Sequence, residues 1–309
     1  MEDQKKVSPY QQAADQIISQ LEAGTVPWRK PWVSQGLPKN LISQKEYRGM
    51  NVFLLMLQQK ASPWWLTAKQ AKDLGGHVMK GEKGTAICKY AVYDRKSRNE
   101  ETGEDGTTRA GYWKTWHVFN ITQCNPELAE ELGLNKPQAP IEDLPAAQAI
   151  WDGYPDKPKL VDAGAAFYRP SEDLIGTPVR GAFKEQREYY STLFHEMVHS
   201  TGALKRLSRE GITNGDGFGG DKYSAEELVA EFGASMLCGV VGIAPAVVEN
   251  SAAYIKHWLE KLKLNDNNKK MLMQSISAAQ KACDHIRDVK FEKPVEQPQQ
   301  EPELAAVAA

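Results

Sequence analysis

Ala14, Ile17, Ile18 and Leu21 recur at helical spacing within residues 10–22, and Gly24 supplies a stop, so the chain opens with an amphipathic helix. Residues 47–57 (YRGMNVFLLML) read as a turn running into a buried apolar helix or strand. Residues 64–74 (WWLTAKQAKDL) hold a short amphipathic helix capped by Thr67 and ended by Gly75 and Gly76. The period then shortens to two. TAICKYAVYD and YWKTWHVFNI alternate on either side of a polar, glycine-containing stretch at 95–111, which predicts a β-hairpin with a long polar loop.

Beyond the hairpin, residues 125–140 are helical and then proline-bearing, as suits a linker. Residues 146–153 read as a helix, 164–168 as a short strand and 173–178 as an extended edge strand. A long helix opens near Phe183, and YSAEELVAEFGASML forms a second strongly helical segment. FEKPVEQPQQEPELAAVAA, from residue 291, is rich in Pro, Gln and Glu and reads as a disordered tail. The expected architecture is α+β in two domains. A mixed α/β first unit covers 1–125, a linker 126–141, and a mainly helical second unit with a small sheet 142–290, followed by the tail at 291–309. No internal repeat interrupts this pattern.

Composition supports a folded chain: 41% of the 309 residues are hydrophobic and 25% charged. No apolar run approaches the roughly 18 residues of a membrane span, and MEDQKKVSPYQQ lacks a signal-peptide core, so a cytoplasmic protein without membrane contact is expected. Cys88, Cys124, Cys238 and Cys283 form no C-x-x-C pair and read as buried free thiols.

Charge changes the picture only when the chain is divided. Residues 1–120 hold 18 Lys and Arg against 12 Asp and Glu, and the remainder 20 against 28. Six of the eight tryptophans (Trp28, Trp32, Trp64, Trp65, Trp113 and Trp116) lie in the basic part. Cations that track phosphates beside rings that stack on bases point to single-stranded DNA as a partner. Candidate contacts are Trp28, Arg29, Lys30 and Trp32 in PWRKPW, Arg48 in YRGMN, and Lys80 and Lys83 in KGEKG. The bland alternatives are a proline-buttressed core edge for PWRKPW and a solvated turn for KGEKG.

HEMVH, residues 195–199, carries the chemistry. Four residues along a helix advance the side chain about 40° beyond a full turn, so His195 and His199 share a face and can hold one ion. Glu196 would serve as general base toward a water activated by zinc. Two histidines on a helix also occur without a metal, so a third ligand is needed. Glu226, Glu227 and Glu231 offer carboxylates on the second helix. Glu227 and Glu231 share a face, which favours Glu227 as ligand over Glu226 and leaves Glu231 to hydrogen-bond a ligand histidine. Such a donor set also accepts manganese, cobalt or nickel.

With PWRKPW, YRGMN, WLTAKQA, GGHVMKGEKG, VFNITQC, FYRPSEDLIGTP, YYSTLFHEMVHSTG, RLSR and YSAEELVAEFGA, the chain resembles the ArdC-type antirestriction proteins of conjugative plasmids over nearly its whole length. The resemblance implies an N-terminal domain that binds single-stranded DNA, shared with the accessory region of TraC-type primases, and a zincin-like C-terminal domain. It also implies protection of incoming plasmid DNA from host restriction, with His195, His199 and Glu227 as zinc ligands and Glu196 as the acid/base. Other functions stay open: a metallopeptidase acting on one protein partner, such as a host restriction component, or a primase accessory. The absence of a P-loop motif counts against independent nucleotide transfer. Residues 173–178 are expected to receive an extended peptide by β-augmentation.

Overall fold

The apolar spacing near the start forms α1 (Pro9–Glu22), with Gly24 in a left-handed conformation just beyond it. The computed structural model describes residues 9–24, 26, 36–98, 105–134, 144–214, 221–243, 260 and 266–290. PWRKPW and the tail lie outside the described residues.

In the first domain, β1 (Lys39–Asn40), β2 (Trp64–Leu66), β3 (Thr85–Arg98) and β4 (Asp105–Asn120) form a sheet of order β1-β2-β4-β3, with β1 and β2 parallel and the other neighbours antiparallel. The apolar run after YRGMN becomes a helix, α2 (Met50–Met56). Thr67 caps α3 (Ala68–Asp73): its Oγ1 accepts from the Gln70 N–H at 3.1 Å, and Gln70 Oε1 accepts from the Thr67 N–H at 2.8 Å. The hairpin departs from expectation. Its pairing continues to Arg98 opposite Asp105, so the stretch read as a long loop is mostly a two-stranded ribbon. Backbone pairing needs no apolar side chains, and a polar ribbon leaves no hydrophobic alternation to read.

α4 (Pro126–Glu131) packs Leu128 into the first-domain core with Leu41, Leu66, Ala71, Ile121 and Cys124. The second domain follows with α5 (Leu144–Asp152), then β5 (Lys159–Asp162), β6 (Phe167–Arg169) and β7 (Leu174–Thr177). α6 (Gln186–Thr201), α7 (Glu210–Thr213), α8 (Asp221–Val240) and α9 (Asp266–Ile286) complete the described elements. The sheet order is β5-β7-β6, which corrects the reading of 173–178 as an edge. β7 is central, parallel to β5 and antiparallel to β6, and no row of its backbone groups is left for an added peptide. The edges are β5 and β6.

The fold is thus two-domain α+β, but its largest apolar cluster gathers elements from both ends of the chain. Ala14, Ile17 and Leu21 of α1 and Phe53 of α2 lie in one core with Trp151, Phe194, Phe232 and Ile276. The Phe53 and Phe232 rings meet edge to face at 4.8 Å. α2 is shared, because Phe53 faces this helical core while Leu55 packs with Trp65 and Val118. All four cysteines are free and buried. Among the described residues no helix is long and apolar enough to cross a membrane.

Candidate metal centre

α6 and α8 carry the site, and their sequences allow close approach. A Cβ on Gly233 of α8 would lie 2.6 Å from Val198 Cγ2 of α6, so the glycine is where the two helices meet. In a helix interior glycine costs about 1 kcal/mol relative to alanine, a cost offset here by the approach it permits. His195 and His199 leave α6 from one face, as their spacing requires, and Glu227 meets them from α8.

The three side chains form a triangle. His195 Nε2 lies 3.1 Å from His199 Nε2, Glu227 Oε1 lies 3.4 Å from His199 Nε2, and Glu227 Oε2 lies 3.6 Å from His195 Nε2. Ligands about 2.05 Å from a tetrahedral zinc are separated by about 3.3 Å, and cis ligands of an octahedral ion by about 3.0 Å. The His195–His199 edge falls in that range and the two edges to Glu227, one from each carboxylate oxygen, are slightly longer, so small side-chain shifts let these groups hold one divalent ion, and they are the group of possible ligands found among the described residues.

Electrostatics agree. Burial would push His199 down, but hydrogen bonds and charge from Glu226 and Glu227 outweigh it and lift the ring to about 10. Burial likewise raises Glu227, yet the two imidazoles hold it well below the usual carboxylate range. The site therefore favours positive charge at its centre, which a cation supplies.

Around this triangle the polar contacts are specific. His199 Nδ1 meets Glu226 Oε1 at 3.3 Å. His199 is thus oriented by Glu226; Glu231, to which helical spacing gives the role of bonding one of the histidines, stands one turn beyond Glu227 on α8 and is half-buried. Glu226 is held in turn by Arg209, which donates from Nε to Oε2 at 2.9 Å and from Nη2 to Oε1 at 2.6 Å. The same guanidinium donates to the Val198 carbonyl at 2.7 Å and to Thr201 Oγ1 at 2.5 Å, bracing the end of α6 against α8. Room for this brace exists because Gly211 carries no Cβ, which would lie 2.6 Å from the Glu226 Cβ.

Arg206 makes a second brace. It donates to both oxygens of Asp173, at 2.7 and 3.0 Å, and to the Ser200 carbonyl at 3.1 Å. Both arginines of RLSR therefore secure the helix end that bears His199. Their partners are remote in sequence, so no local spacing signals them. Glu196 is buried beside His195, and desolvation raises its pKa, with the charges of both histidines and the backbone N–H of Tyr168 in β6 opposing.

The expected DNA contacts are placed unevenly. Lys80 and Lys83 are exposed on the turn before β3, whereas Arg48 is ion-paired with Asp284 of α9. Trp28, Arg29, Lys30 and Trp32 fall outside the described residues. Trp65 is core at 2% exposure. Trp64 and Trp116 are half-buried, with Lys39 and Lys114 over their rings at 4.8 and 5.2 Å.

A profile of the N-terminal domain of anti-restriction factor ArdC matches residues 8–119, and a zincin-like metallopeptidase profile, MPTase-PolyVal, matches residues 159–278. A DNA primase TraC of Escherichia coli is 33% identical over 267 residues, 82% of this chain, and a second is 32% identical over 81% of it. The chain spans only 25% and 18% of those primases. The uncharacterized protein y4eC of Sinorhizobium fredii is 30% identical over 89% of this chain and 90% of its own length. The metal-free crystal structure of antirestriction ArdC protein from the R388 plasmid superposes with a TM-score of 0.72 at 34% identity, covering 91% of this chain and 97% of that one. Its Mn(II)-bound structure gives 0.69 at 33% identity, covering 93% and 100%. Matched along both domains and over nearly all of a solved relative, the chain belongs to the ArdC antirestriction family, with a zincin-like second domain.

Proposed function

We propose that this protein acts in the cytoplasm, binds single-stranded DNA through its first domain and cleaves a protein partner with its second. In this way it would protect incoming plasmid DNA from host restriction during conjugation. The observation that carries the reading is the triangle of His195, His199 and Glu227, with edges of 3.1 to 3.6 Å. Zinc is the ion proposed there. The Mn(II) in the related ArdC structure supports a divalent ion. When bound, such an ion supplies Lewis acidity that lowers the pKa of a water toward neutrality.

The chain's own residues do the rest. Glu226 holds Nδ1 of His199 and so leaves Nε2 turned to the ion. Glu196, whose proton affinity is raised by burial, takes a proton from the nucleophilic water and returns it to the leaving amine nitrogen. Phosphate contact is assigned to Arg29, Lys30, Lys80 and Lys83, with Trp28 and Trp32 stacking on bases.

The test is Glu196→Ala. Metal content and oligonucleotide affinity should stay at wild-type levels, while plasmid protection in a restricting host is lost. Full protection by a metal-loaded Glu196→Ala protein would remove proteolysis from the mechanism. The likeness to two primases favours a second reading, an accessory single-strand binder for replication. That reading predicts that Glu196→Ala changes nothing.

A further inference from the structure

The turn of YRGMN is held by contacts that neither DNA stacking nor the metal centre uses. Arg48 is ion-paired with Asp284, and the Gly49 N–H donates to Gln280 Oε1 at 2.8 Å, both partners lying on α9 of the second domain. Asn51 faces the first domain instead: its Nδ2 donates to the Cys88 carbonyl at 2.8 Å, and its Oδ1 accepts from the Cys88 N–H at 3.0 Å. Between the turn, Cys88 and α9 lies a cleft of about 530 Å³, within the range of sites that enclose a nucleotide-sized ligand.

Its far wall is a helical stripe. Lys270, Gln274, Ser277 and Lys281 follow one another at spacings of four, three and four, and all are exposed on α9. Neither lysine has an acidic partner among the described residues, and the one carboxylate in the lining, Asp284, is neutralised by Arg48. The cleft therefore carries two unmatched positive charges about 16 Å apart along the helix axis, over a floor that includes Met50 and Met273.

We infer that this cleft carries the backbone of a single DNA strand, with Lys270 and Lys281 of the metallopeptidase domain as phosphate ligands. The inference rests on the single-strand reading above and extends it across the domain boundary. Ammonium groups at successive points along a groove neutralise successive phosphates, while the methionine floor gives unpaired bases an apolar surface.

The experiment is a salt titration of the full chain with labelled oligothymidylate. Lys270→Ala/Lys281→Ala removes two phosphate contacts, so the slope of log affinity against log salt should become shallower by about 1.4. Lys159→Ala/Lys184→Ala removes the same charge from exposed sites elsewhere on the domain and should leave the slope unchanged. Gln274→Glu should weaken binding without altering the melting temperature. If wild type fails to bind the oligonucleotide, the single-strand reading itself is lost. If wild type binds and the cleft variant matches it, or the control pair lowers the slope equally, only the cleft assignment is overturned. Labelled polyglutamate that binds wild type but not the cleft variant, while the oligonucleotide binds both equally, would reassign the groove to an acidic peptide.

Discussion

Arg209 spends its donors on Glu226, on the last carbonyls of α6 and on Thr201, and both it and Glu226 are largely removed from water, at 12% and 5% side-chain exposure. Removing one member of a buried pair strands the other, at a cost of about 3–5 kcal/mol. Arg209→Met should therefore destabilise the metal-free protein by that amount in urea unfolding. It should also weaken metal binding about 10–100-fold, measured by chelator competition, because Glu226 no longer holds the His199 ring. Adding Glu226→Gln should restore part of the stability and none of the metal affinity. Unchanged metal binding in the single variant would show that Glu226 does not orient the ligand. HEMVH and Glu227 were legible in the sequence because a helix converts i, i+4 spacing into a shared face. Glu226 was not, since its neighbour position turns it about 100° away, and what it meets there depends on a loop brought back from Arg209.

At the scale of elements, Asp173 ties the β6–β7 turn to the end of α6 through Arg206 and Lys205 and accepts from the Tyr168 hydroxyl at 3.0 Å. Burial would raise its pKa, but these three partners outweigh it and hold the carboxyl well below the usual range. A depressed carboxyl contributes its full stability above the unfolded value, about 3.9, and loses it progressively as pH falls below that. Wild type should therefore exceed Asp173→Asn in urea midpoint near neutrality, and the gap should narrow as pH drops through 4 toward the folded value. A gap that stays constant with pH would mean the tie is not ionic. Elements with an apolar rhythm, such as α1, α3 and α6, were readable in the sequence. β5 and the outer part of the β3–β4 ribbon were not, because four residues are too few for a period and polar pairing has none. Missing β5 is also what made β7 look like an edge. α9 did have a readable stripe in Leu272, Ile276, Ala279 and Cys283, and its role is tertiary, since it packs against α8 and α6 and pairs with the YRGMN turn.

At the scale of the whole molecule, the largest apolar core draws on both sides of the expected break near residue 125. Ile17 and Leu21 of α1 and Phe53 of α2 are at most 1% exposed, and their core is built from α5, α6, α8 and α9. Returning each such side chain to water costs about 1.5–3 kcal/mol, so a few of them equal the roughly 5–15 kcal/mol that stabilises a domain. A fragment of residues 1–134 keeps the smaller core around Leu66, Ile121 and Leu128 but loses every second-domain partner of α1. It should bind a hydrophobic dye and unfold over a broad range of urea. The full chain should instead unfold in one transition, with α1 and α8 losing hydrogen-exchange protection together. A fragment that unfolds sharply without binding dye would show that the small core suffices, and that the packing of α1 against α9 is a docking contact between independently stable units.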